Sequence, residues 1–147
     1  MQTVTNVARW FFSRSRARAV SGEEHFLTNP KLQKLLYYAQ GMHLALYGVP
    51  LFEDKIIKWQ YSPVVESVYQ EYKENGADFI LNFENPVENF SADEEAALQF
   101  VQDAFGQFSA WKLAEMIREE TPWKETATNE EIPREKIRDY FEKHYVE

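Results

Sequence analysis

A helix that is apolar on nearly every side must be enclosed by other elements, and residues 27–48 (LTNPKLQKLLYYAQGMHLALYG) read as such a helix. Pro30 suits the first helical position, where its missing N–H would be unpaired in any case. That makes Asn29 the expected N-cap. Gly48 can close the other end in the left-handed conformation, and Pro50 prevents the helix from resuming. Leu32, Leu35, Leu36, Ala39, Met42, His43 and Leu46 share one face at helical spacing. The remaining sides carry Tyr37, Tyr38, Gly41, Leu44 and Ala45, so no clean polar face exists. From Leu35 to Tyr47 only Gln40 and His43 are strongly polar.

The other segments supply material to pack around this helix. Val4, Val7, Ala8, Phe11 and Phe12 form one face of a first helix starting near Thr3 or Thr5, with Arg14, Arg16 and Arg18 at its solvated end. In residues 55–61, Ile57, Trp59 and Tyr61 alternate with Lys58 and Gln60, as in a short strand. Pro63 is expected to open a third helix carrying Val64, Val65, Val68, Tyr69 and Tyr72, ended by Asn75-Gly76. Phe79, Ile80, Leu81 and Phe83 fit a second short strand or an ordered loop. Ser91-Ala-Asp-Glu94 is a capping box opening a fourth helix with Leu98, Val101, Phe105 and Phe108. Ser109 caps a fifth helix with Leu113, Ala114 and Ile117, ended at Thr121-Pro122. Pro133 lies in the first turn of a last helix with Ile137, Tyr140 and Phe141 on its inner side.

These segments predict a mostly α fold: a compact bundle of about six helices around a central buried helix (28–48), with at most a small two-stranded β piece. Short loops flanked by aromatics leave no domain boundary, so residues 1–147 read as a single domain. Aromatics make up 16% of the chain and are spread along all of it, which argues against a long disordered tail.

The chemistry that the sequence offers is sparse. With no cysteine, disulfides, thiolate nucleophiles and cysteine zinc sites are excluded, and a reducing, cytoplasmic setting is expected. No basic start followed by an apolar run marks a signal peptide, and no stretch approaches the roughly 20 apolar residues that span a bilayer. The net charge of −8 disfavours a protein that wraps nucleic-acid phosphates and suits a basic partner. No nucleophile elbow, P-loop, dinucleotide fingerprint or zinc-type histidine pair occurs, so no catalytic residue, metal or cofactor is expected. His43 reads as a hydrogen-bonded core residue, His25 and His144 as surface residues. The acidic groups Glu23-Glu24, Glu53-Asp54, Asp93-Glu94-Glu95, Glu119-Glu120 and Glu130-Glu131 read as capping or solvated charges. Trp10, Trp59, Trp111 and Trp123 each sit beside or within two residues of a Lys or Arg. Tryptophan there serves either as a core filler with a polar edge or as an interface anchor.

One resemblance is carried by Leu27-Thr28-Asn29 followed by Lys31-Leu32-Gln33-Lys34-Leu35-Leu36-Tyr37-Tyr38-Ala39-Gln40-Gly41. It continues through His43, Tyr47-Gly48, Pro50-Leu51-Phe52, Trp59-x-Tyr61-x-Pro63-Val64-Val65, Ser109-Ala110-Trp111-x-Leu113, Pro122-Trp123 and Ile132-Pro133. This pattern resembles the Panacea antitoxin-domain family, which includes SocA-like antitoxins and phage-associated GepA-like proteins. Ser62 stands where the family often has Gly, and Pro30 interrupts its usual helix start. The resemblance implies a type II antitoxin, encoded beside a toxin, that neutralises this cognate protein toxin by direct contact. It also implies, for SocA-like members, an adaptor role that delivers the toxin to a ClpXP-type protease. Neither enzymatic activity nor direct DNA binding is implied; a homo-oligomer is compatible.

The aromatic candidates for the partner surface are Tyr37, Tyr38, Trp59, Tyr61, Trp111 and Trp123, several of which the core must also claim. Two rival readings are a small enzyme built on His43 and Gln40 and, less favoured by the charge, a nucleic-acid-binding regulator using Arg9, Arg14, Arg16 and Arg18.

Overall fold

The computed structural model describes residues 1–22 and 26–146; His25 and the Glu23-Glu24 pair lie outside the described residues. Among the described residues, seven α-helices run in the order α1 (Val4–Val20), α2 (Asn29–Tyr47), α3 (Glu66–Tyr72), α4 (Ala92–Phe105), α5 (Ala110–Arg118), α6 (Thr121–Lys124) and α7 (Arg134–His144). Two short strands, β1 (Ile57–Lys58) and β2 (Pro63–Val64), pair antiparallel between α2 and α3. The bundle therefore has one more helix than expected, because a separate turn, α6, follows Thr121 instead of a plain stop.

Helix α2 is the axis. Every residue from 32 to 44 is buried, and α7, α4, α5, α1 and α3 all pack against it. That enclosure is the physical consequence of its missing polar face. Gly41 is required by the closest of these contacts: a Cβ there would overlap the Phe141 ring of α7. Gly48 ends α2 at φ +77°, as expected. Leu46, assigned to the inner face, is 40% exposed, because the helix outruns its neighbours in the last turn.

The N-cap is Thr28, not Asn29. The Thr28 hydroxyl accepts from the Lys31 N–H, while the Asn29 side chain turns into the core, accepting from Gln33 and donating to the Tyr69 carbonyl. Pro63 does not open a helix either. It pairs with Lys58 in the β hairpin, and α3 starts three residues later. Residues 79–83 form no strand; Ile80 is tied to the Leu27 carbonyl by a single backbone hydrogen bond of 2.8 Å.

Caps read from sequence hold elsewhere. Thr3 caps α1, Ser91 and Glu94 form a reciprocal capping box on α4, and Ser109 caps α5. Glu94 is also buried, where it accepts from the Gln2 side chain at 2.9 Å. The backbone and capping donors hold its carboxyl below the ordinary range against the opposing effect of burial. The arginines belong to α1 itself. Arg9, Arg14 and Arg18 pair with Glu84, Glu95 and Asp103, and Arg16 donates to the Asn85 side chain.

Candidate partner-binding surface

The six aromatic candidates divide sharply. Tyr37 and Tyr38 are fully buried on α2, and Trp123 is 6% exposed, so none of the three presents a face to a partner in this conformation. Lys58 covers Trp123, its ammonium 4.5 Å from the ring centroid and donating to the Trp123 carbonyl. Trp59 is half-buried edge-on to Tyr69, with ring centroids 4.8 Å apart. Tyr61 and Trp111 are 69% and 71% exposed.

Glu120 explains the buried tyrosines. Read from sequence as a capping or solvated charge, it is instead sealed in the core. It accepts hydroxyl hydrogen bonds from Tyr37 (2.8 Å), Tyr38 (2.9 Å) and Tyr145 (2.6 Å). Burial raises its carboxyl above the ordinary range, and the three hydroxyl donors pull it part of the way back. The same burial, with the Glu120 charge beside it, pushes the Tyr37 and Tyr38 hydroxyls upward. The cluster fastens the α5–α6 junction and the residue after α7 onto α2. No local pattern could have marked it, since its three donors come from positions 37, 38 and 145.

His43 and Gln40 also have structural occupations. The Gln40 amide donates to the Phe52 carbonyl (2.8 Å) and accepts from the Leu51 N–H (2.8 Å), holding the chain after α2 in place. His43 Nδ1 lies 2.7 Å from the Val49 carbonyl, an acceptor, so this nitrogen carries the proton. His43 borders a shallow cleft with Tyr47 and Asp93, yet among the described residues no carboxylate bonds its ring. The four arginines of the regulator reading are engaged by the 84–103 segment, as above. Among the described residues, no group of acidic and histidine side chains could hold a metal ion. No described helix is long and apolar enough to cross a membrane.

The open aromatic pair lies on one side of α5. Leu113, Ala114 and Ile117 seat this helix on the core. Trp111, Glu115 and Arg118, spaced i, i+4 and i+7, make its outer face. Half-buried Arg118 donates to the Tyr61 carbonyl at 3.4 Å, which joins the hairpin tip to the end of α5. Lys34 of α2 lies nearby, 5% exposed, with its ammonium on the Pro30 carbonyl at 3.0 Å. Burial, and secondarily the Arg118 charge, lower it to about 8. Beside the N-terminus of α5, Phe26, Pro30, Phe79, Phe108 and Ala110 line a cleft of about 500 Å³.

Sequence reading missed Arg118 and Lys34. The signal for Trp111 was present, since it falls off the Leu113/Ile117 stripe and on the same line as Glu115 and Arg118.

Comparison with known proteins gives this fold its class. The family model described as "Antitoxin SocA-like, Panacea domain" matches residues 32–124, a span that includes α2 from Leu32 onward, the hairpin, α5 and Glu120. The chain belongs to this antitoxin family. Over 56 residues it is 39% identical to the protein named Antitoxin SocA from Caulobacter vibrioides (strain NA1000 / CB15N). That match covers 38% of this chain and 30% of the relative, so the aligned part spans under a third of the relative's length. No solved structure matches the chain.

Proposed function

We propose that this chain is the antitoxin of a type II toxin–antitoxin pair and neutralises one cognate protein toxin by direct binding. The family match across residues 32–124 carries the reading. The exposed indole of Trp111 and the exposed Tyr61 ring support it, because large aromatics at the surface are the side chains that most often anchor protein interfaces. His43 and Gln40, the residues an enzyme would need, are occupied in holding residues 49–52. Co-expression with the product of the adjacent reading frame tests the proposal. Restored growth and a co-purifying complex are expected; a toxic neighbour that is neither bound nor relieved refutes it.

The stretch of identity with Antitoxin SocA supports an extension in which the chain also delivers its toxin to a ClpXP-type protease. In a purified system the toxin would then decay faster when both the protease and this chain are present. Equal decay with and without the chain removes the adaptor role and leaves neutralisation by binding intact.

A further inference from the structure

Helix α2, enclosed from residue 32 to residue 44, meets solvent in its last turn, where Leu46 is exposed and Tyr47 half-buried. That turn carries no basic residue, although the helix dipole favours a cation there. Opposite it stands the first turn of α4, with Asp93 and Glu94. His43, Tyr47, Val49, Pro50, Asp93 and Glu94 border a cleft of about 490 Å³ between the two helix ends.

Two acceptors at this cleft have no partner in the chain. His43 is 5% exposed, and its Nδ1–H donates to the Val49 carbonyl. That tautomer makes Nε2 an acceptor, and among the described residues Nε2 bonds nothing. Among the described residues, the side-chain N and O atoms that are both sealed and unpartnered belong to Gln102 alone, so Nε2 is reachable from the cleft that its ring borders. The second acceptor is the exposed Asp93 carboxylate, which forms no ion pair among the described residues. The Met1 ammonium, 3.7 Å from Glu94, offsets that carboxylate, and the α2 and α4 dipoles present opposite ends to the cleft. The charge left over is that of Asp93, and no Lys or Arg borders the cleft to meet it.

We propose that this cleft takes an arginine side chain of the cognate toxin, its guanidinium N–H groups on His43 Nε2 and the Asp93 carboxylate, its stem along Tyr47, Val49 and Pro50. The two acceptors belong to different helices, and the fork of a guanidinium carries enough donors to bond both. A neutral imidazole accepts from a cation, and the Tyr47 ring beside it is a face on which a guanidinium stacks. Leu46 and Val49, exposed at this end of α2, add apolar surface that a protein covers and a free small cation does not. The inference rests on the antitoxin reading and adds to it the surface and the recognised group. It also gives the acidic chain, with 24 acidic against 16 basic residues, a defined point of contact with a basic partner.

Calorimetric titration of the adjacent-frame product into the full chain tests it, using the wild type, Asp93→Lys, His43→Asn and, as control, Glu135→Lys. Glu135 is likewise exposed in the first turn of a helix, α7, and does not border the cleft. His43→Asn keeps an N–H for the Val49 carbonyl and removes the Nε2 acceptor. The proposal expects Asp93→Lys and His43→Asn each to weaken binding by roughly tenfold or more, and the control to stay within about threefold of the wild type. Asp93→Lys changes an exposed side chain, leaves the Ser91–Glu94 cap in place, and keeps the test valid should His43→Asn disturb the fold. Among single Arg→Glu variants of the product, one should bind Asp93→Lys more tightly than the unaltered product does. Wild-type affinity in either folded site variant overturns the docking cleft while leaving the antitoxin reading standing. So does equal weakening by Glu135→Lys, which would make the effect one of net charge. So does the failure of every Arg→Glu variant to recover binding, which would remove arginine as the occupant. So does a wild-type dimer that Asp93→Lys dissociates, which would assign the cleft to a second copy of this chain. Failure of the wild type to bind the product at all overturns the antitoxin reading, and this inference with it.

Discussion

Two buried charges in this molecule are treated in opposite ways. Glu120 is surrounded by donors: three tyrosine hydroxyls from distant parts of the chain converge on one carboxylate. Lys34, as deeply buried, has one backbone carbonyl and a like-charged neighbour. The first arrangement is closed, in that every element holding it belongs to this chain. The second has no opposite charge bonded to it among the described residues. A charge met by three donors holds separate elements together; a buried charge without an opposite partner is carried at a cost to stability.

The contrast is broken most severely at its closed end. Glu120→Ala leaves two buried hydroxyls and the partly buried Tyr145 hydroxyl without their acceptor, and its expected cost is about 3–5 kcal/mol. That corresponds to a fall in melting temperature of roughly 10 °C for a domain of this size. A loss under about 1 kcal/mol in urea unfolding would mean that the tyrosines do not depend on Glu120. Tyr145→Phe should cost less, about 1–2 kcal/mol, since two donors stay in place. A loss as large as that of Glu120→Ala would show that Tyr145, rather than the carboxylate, organises the cluster.

The pH dependence of stability separates the two charges by sign. Glu120 has a raised carboxyl in the folded state, so between its ordinary value and the raised one the folded protein binds more protons. Stability from this residue therefore falls as pH rises through that window. Glu120→Gln should remove the fall, even where its weaker acceptor lowers stability overall. Lys34 is lowered from 10.5 to about 8, so between those values the unfolded chain binds more protons and stability rises with pH. Lys34→Met should flatten that rise and, at neutral pH, change stability by less than about 1 kcal/mol in either direction, since it replaces a poorly compensated cation with an apolar stem of similar length. Retention of the rise between pH 8 and 10 in Lys34→Met would show that another group causes it.

What was legible in the sequence was local. The enclosure of α2 follows from its apolar sides, and Gly48, Ser91, Glu94 and Ser109 act where capping chemistry places them. Misreadings arose where two local signals competed. Thr28 and Asn29 are both good N-caps, and the choice was decided by Gln33 and Tyr69, which draw the Asn29 side chain inward. Pro63 suits a helix start as well as an edge strand, and pairing with Lys58 decided it. Glu120, Arg118 and Lys34 were illegible for a different reason. An acidic pair ahead of a proline looks solvated until residues 37, 38 and 145 are known to converge on it. A lysine beside an apolar run looks like a helix edge until that helix is found enclosed on all sides. The aromatic candidates show the same limit: composition could name Tyr37 and Trp111 together, and only packing separates a 0% exposed side chain from a 71% exposed one.

The claim that Lys34 is buried without an opposite charge is tested most directly by titrating its side chain by NMR in the free chain. The free protein should titrate near 8. A Lys34 that titrates in the ordinary lysine range would contradict the account, because its ammonium would then be solvated or paired with an opposite charge.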